Sequence, residues 1–360
     1  MRNGFRSSIV VASSFAAILF GCGGPEPISE PPKSPPTLPP SMKLGGPATD
    51  PVQKAKEPSP DVVRGKAAVE QGNEPAARAA FEAALVKDAN DADAHAYLGA
   101  LVEKTDKAAA EKHYRAALST QAGHEVASLN LSALLLDSGK FDEAVEVCKS
   151  AVEKHSQSAA LKQNLGVSLA SKGDEAGATV ALAEAVKLSP KDPIGHLTYG
   201  QWLGKWKKAD AAKEQFLQAE KLANGDVGVL ASVGFELKNV GAFADCVRVL
   251  DGTIAKKEAA ELRTYRALCK LGAQDKPGAL ADLEAAVAKE PKYGPAYFYL
   301  GGRYAEAGKW KEVVTAYETY LKLEPDGPLR KMAEERIKLA KEKQKGGGPA
   351  PKPGPAPKKK

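Results

Sequence analysis

The chain has 360 residues, 43% of them hydrophobic but only 6% aromatic, and a formal net charge of +6. That alanine-rich, aromatic-poor balance argues against a sheet core and for packed helices. Residues 58–344 carry 40 basic against 41 acidic groups, so the positive excess belongs to the ends. A nucleic-acid interface places its basic stripe on the folded part, which argues against that partner class.

Arg2 and Arg6 form a positive leader before an apolar run from Ile9 to Phe20, too short to span a bilayer. Leu19-Phe20-Gly21-Cys22 follows and resembles the bacterial lipobox, with Phe20 where that family usually has a small or β-branched residue. The resemblance implies a signal peptide over 1–21, cleavage before Cys22, lipidation of Cys22 and anchoring in the cell envelope. Several acyl chains are needed because one binds only marginally. Gly23, where an Asp would retain the protein at the inner membrane in many two-membrane bacteria, implies the outer membrane facing the periplasm. An ordinary signal peptide with a chance cysteine is the alternative.

Residues 22–57 are too proline-dense for helix or sheet and read as a disordered, partly polyproline tether. At about 3.1 Å per residue it reaches roughly 100 Å when extended. Its P-x-x-P-like spacings leave open a ligand for a proline-recognising module.

From residue 58 a pattern repeats eight times, to residue 327. It is plainest in the last unit, Pro295 to Pro325. Tyr297, Leu300, Gly301 and Tyr304 share one face of a first helix, Gly308 turns the chain, and Val313, Tyr317 and Tyr320 mark a second helix. The same spacing gives Gly65, Gly72, Ala77 and Phe81, then Leu98, Gly99 and Tyr114, with one residue missing near Lys104. Next come Leu131, Gly139 and Ala144, with Cys148 in the aromatic slot, and then Gly166, Gly173, Ala178 and Leu182. Gly200, Ala212 and Phe216 follow, and after them Gly234, Gly241 and Leu250, with Cys246 in a helix-packing slot. The seventh unit has Ala279, Leu283 and Ala286, but its first helix, around Tyr265 to Leu271, reads out of phase. Large residues filling gaps left by small ones over about 34 residues resemble the tetratricopeptide (TPR) repeat. The resemblance implies an all-α, right-handed TPR superhelix. Over 328–344, Leu329, Met332, Ala333, Ile337 and Ala340 share one face, as a capping helix requires. Residues 345–360 are low-complexity and read as a solvated, disordered tail whose lysines offer contact with anionic polymer or headgroups.

Little points to catalysis. The five histidines, at 95, 113, 124, 155 and 196, are scattered, and His95 and His196 fall on the aromatic slot of a first helix as packing residues. No metal-ligand spacing, phosphate loop or nucleophile elbow is present, so no cofactor, metal or small-molecule substrate is expected. Cys148, Cys246 and Cys269 read as three buried thiols, with a Cys246–Cys269 bridge as the alternative in an oxidising space.

Function then falls to the surface. In TPR arrays the first helices line a concave groove in which peptides lie. Carried over residue by residue, that groove is Leu129, Asn130, Ala133 and Leu136, then Gln163, Asn164, Val167 and Ala170. Leu197, Gln201 and Lys205 follow, then Phe235 and Lys238, and finally Phe298 and Ala305. Asn130 and Asn164 match the asparagine with which chaperone-binding members hold a peptide carboxylate. The lysines that accompany it are absent, Leu129 and Ala96 standing in their place, and a local hydrogen bond is the competing role. The layout is similar to TPR lipoproteins that help pilus or secretion secretins assemble in the outer membrane. It implies a non-enzymatic adaptor for another envelope protein. A scaffold for peptidoglycan-remodelling or motility machinery is the alternative, and an unrecognised enzyme a third.

Overall fold

The computed structural model describes residues 58–346; the expected leader, lipidated Cys22 and tether, and nearly all of the expected tail, lie outside them. Seventeen α-helices, paired into helix–turn–helix units, make up the architecture of the described residues, as the repeat resemblance implies. They form two compact units, dividing after Gly195.

In the first unit α1 (Pro60–Glu70) pairs with α2 (Glu74–Lys87), and α3 (Ala92–Val102) with α4 (Lys107–Thr120). α5 (Glu125–Asp137) pairs with α6 (Phe141–Lys154), and α7 (Ala159–Lys172) with α8 (Glu175–Leu188). The division falls inside α9 (Pro193–Lys205), which α10 (Ala209–Leu222) follows. In the second unit α11 (Val227–Asn239) pairs with α12 (Phe243–Lys256), α13 (Ala260–Gly272) with α14 (Lys276–Lys289), and α15 (Gly294–Glu306) with α16 (Trp310–Leu323). α17 (Arg330–Gly346) packs on α16. Its Ala333, Ile337 and Ala340 are buried, as expected of a cap.

Each hairpin closes on one small–large pair. A methyl group on Gly65 would meet the Phe81 ring at 2.5 Å, on Gly99 the Tyr114 ring at 2.5 Å, and on Gly200 the Phe216 ring at 2.5 Å. Gly166 stands likewise against Leu182, Gly234 against Leu250 and Gly301 against Tyr317. Two repeats lack the glycine. At the matching places α5 has Ser132 and α13 has Ala267, both fully buried, and Cys148 and Leu283 occupy the large slots. Where the small residue keeps a Cβ, the large one is not aromatic, so the helix spacing survives. The first helix of the seventh repeat is therefore in register, against the sequence expectation, because alanine replaces its glycine.

The turn inside seven of the eight hairpins holds one residue with positive φ, the α3–α4 turn being the exception. Gly72, Gly139, Gly173, Gly241 and Gly308 supply it, between +67° and +98°. Lys207 (φ 61°) and Gln274 (φ 66°) hold the same place without glycine's freedom. Helix starts are capped in the usual way by Ser59, Asn73, Asp91, Asp106, Ser158, Asp174, Asp226 and Asp275. α5 instead begins at His124, whose Nδ1 accepts from Ala127 N–H at 3.3 Å while Nε2 reaches Asp93 Oδ1 at 3.2 Å.

The cysteines differ from the expectation of three free thiols. Cys246 and Cys269 form a disulfide with Cα atoms 6.0 Å apart, tying α12 to α13. The reason is geometric: both slots face the same helix–helix contact, where small residues bring the backbones close. Cys148 alone of the described cysteines is free. Burial pushes its thiol up to about 11.

Candidate protein-binding surface

In the first unit the first-helix residues named from sequence are buried or half-buried. Leu136, Val167 and Ala170 are buried, while Leu129, Asn130, Ala133 and Gln163 are half-buried. Buried Asn164 donates from Nδ2 to the Leu129 carbonyl at 3.1 Å and to Ser132 Oγ at 2.9 Å. Its amide stitches α7 to α5 and leaves nothing to hold a ligand carboxylate. Asn130 engages Tyr114, whose hydroxyl donates to Glu103 Oε2 at 2.6 Å. Both asparagines thus serve local bonds.

His95 also departs from its expected packing role. Its Nδ1 and that of His113 lie 3.0 Å apart, and its Nε2 lies 3.0 Å from the Ala89 carbonyl. Burial, then His95 and Arg78, lower the His113 pKa. His113, Arg78 and Glu82 line a cavity of about 310 Å³ between α2, α3 and α4. His196 is buried as expected, its Nδ1 2.8 Å from Gln215 Oε1.

The second unit keeps its first-helix face available. Leu197 is buried, but Gln201, Phe235 and Lys238 are half-buried and Lys205 is exposed. Lys205 Nζ sits over the Trp202 ring, 4.0 Å from its centroid, and Lys238 Nζ over the Phe235 ring at 4.5 Å. Phe235 leans on Tyr265 at 5.4 Å, and Trp202 on Trp206 at 5.9 Å. Gln201 Nε2 donates to Glu236 Oε1 at 3.0 Å and Asn239 Nδ2 to Oε2 at 3.1 Å, joining α9 to α11. Burial raises the Glu236 pKa against those two amides and lowers the pKa of both lysines against the pull of Glu236. The result is a patch of aromatic rings and partly desolvated cations, suited to binding by stacking and charge.

Phe298 is a correction. It is fully buried, with the rings of Tyr299, Tyr317 and Tyr320 at 5.3 to 5.6 Å, and offers no surface to a ligand. It fills the space between α15 and α16 because Gly301 and Gly302 leave room beside it. Ala305 is half-buried. Sequence reasoning passed over Trp202, Trp206 and Glu236, although two tryptophans four apart, at the end of α9 and in the turn after it, are a readable signal for an aromatic patch.

Comparison with known proteins agrees with this architecture. Two tetratricopeptide repeat models match residues 62–125 and 101–165. Residues 62–165 therefore carry TPR repeats. No curated protein matches its sequence. Among solved structures, yeast Tom70 superposes with TM-score 0.50 at 15% identity over 83% of this chain and 67% of that one. A tetratricopeptide repeat protein of Parabacteroides merdae gives TM-score 0.49 at 17% identity over 72% and 98%. PilF of Pseudomonas aeruginosa gives TM-score 0.45 at 17% identity over 64% and 90%. At such identities the likeness concerns the fold. TPR repeat proteins are typically non-enzymatic scaffolds for protein–protein interaction, and proteins are the partner class these repeats suggest.

Proposed function

We propose that the chain is a lipid-anchored adaptor of the bacterial envelope, held at Cys22 and binding another envelope protein through its first helices. The observation that carries the reading is the aromatic and cationic face of the second unit, Gln201, Lys205, Phe235 and Lys238. Aromatic rings beside cations supply large contact area to a partner. The Cys246–Cys269 bridge supports an exported location, since such bonds persist in oxidising compartments. In its specific form the adaptor assists assembly of an outer-membrane complex such as a pilus or secretion secretin.

Two experiments test it. An alkyne fatty acid fed to cells should label the wild type and not Cys22→Ala; equal labelling contradicts the anchor. A photo-crosslinking residue in place of Phe235 should capture one discrete envelope protein, lost with Lys205→Glu/Lys238→Glu. The same residue in place of exposed Val180 should not capture it. Capture at both places, or at neither, contradicts the surface.

A further inference from the structure

Every first helix of the second unit ends on a cation: Lys205 in α9, Lys238 in α11, Lys270 in α13 and Arg303 in α15. Two of the four are matched. Lys270 Nζ lies 2.8 Å from the Asp282 carboxylate, and Arg303 lies 2.9 Å from that of Glu306. Lys205 and Lys238 instead face rings, and they feel Glu236 only through space. The Glu236 oxygens are taken by Gln201 and Asn239. Nearby, the buried Trp202 indole N–H finds no acceptor. The patch therefore has more donors and positive charge than its own acceptors satisfy.

A cation on a helix's last turn is ordinarily explained by the helix dipole. The dipole does not explain why both ammoniums lie over rings with no carboxylate hydrogen-bonded to them, an arrangement that an arriving carboxylate would complete. The first unit shows no such surplus. α1, α3 and α5 have no base in the last turn, and Lys172 of α7 pairs with Asp142 at 2.6 Å.

We infer that Lys205 and Lys238 anchor an extended acidic segment of the partner protein, its Asp or Glu side chains on the two ammoniums and its apolar neighbours on Phe235 and Trp206. This rests on the adaptor reading above and names the chemistry of its occupant. Glu236 opposes a densely charged polyphosphate at the same place, whereas spaced carboxylates can straddle it.

The test uses the full chain in detergent micelles and a fluorescent peptide of alternating Glu and Ala, capped at both ends, read by anisotropy. The wild type should bind it and ignore the Gln/Ala counterpart. Lys205→Met/Lys238→Met keeps the apolar stems and should weaken binding about tenfold. Lys205→Arg/Lys238→Arg should restore it, Glu236→Gln should tighten it, and Lys322→Met on exposed α16 should change nothing. Unchanged binding by the double Met variant, equal loss in Lys322→Met, or better displacement by inorganic polyphosphate than by unlabelled peptide would overturn the inference. Capture at Phe235 surviving without any acidic preference removes the occupant's chemistry and keeps the adaptor; loss of both removes both.

Discussion

Asp282 shows what a single buried charge does in this scaffold. Its carboxylate, on α14, takes Arg266, Lys270 at 2.8 Å and Arg263 at 3.5 Å from α13. Burial raises its pKa, but the hydrogen bonds from Arg266 and Lys270 outweigh burial and hold it below the ordinary carboxylate range. A lowered folded pKa stabilises fully above about pH 4, the unfolded value, and the benefit disappears as pH falls through the folded one. Asp282→Asn should therefore cost about 2 kcal/mol at neutral pH, less than a fully buried pair because the cations reach solvent. Thermal melts should show the gap to wild type closing below about pH 4; a gap that does not vary with pH contradicts this role. The same scale explains why the site was only half legible. Lys205 is exposed and Phe235 and Lys238 are half-buried, but Leu197 is buried and its repeat equivalent in α15, Phe298, lies among three tyrosines. Periodicity gives a helix face; it does not say whether the next side chains cover that face.

At the scale of the hairpin, small–large pairing was legible almost throughout, since Gly200 with Phe216 and Gly301 with Tyr317 recur at one spacing. It failed at α13 because Ala267 does the glycine's work with a residue too common to mark a register. Gly200→Trp should separate α9 from α10 and lower the melting temperature by many degrees, as overpacking costs about 1–3 kcal/mol or more. A melt within error of wild type would show that the pair does not set the spacing. The hairpin turns make the opposite prediction. Gln274→Gly relieves a left-handed backbone at φ 66° and should raise stability by about 1 kcal/mol in a denaturant titration; a loss would mean that the Gln274 side chain contributes more than the strain removes. Cys246 and Cys269 were readable as small core residues, but pairing depends on Cβ direction across α12 and α13, which repeat spacing does not report. Cys246→Ser/Cys269→Ser should destabilise the second unit by about 2–4 kcal/mol. A wild-type melt indifferent to reductant contradicts a structural bridge.

Over the described residues, stability is distributed among neighbouring hairpins, as in other repeat proteins. Such a scaffold can spend residues on a surface patch at little cost to folding. The patch of the second unit has the composition of a binding site, aromatic anchors beside charge, while the equivalent Val167 and Ala170 of the first unit are buried. The measurement closest to this claim is the photo-crosslink from the Phe235 position in intact cells, read beside Val180. The expected result is one discrete partner at Phe235, abolished by Lys205→Glu/Lys238→Glu and absent at Val180. A partner captured equally from Val180, or one indifferent to the lysines, would contradict the assignment of binding to this face.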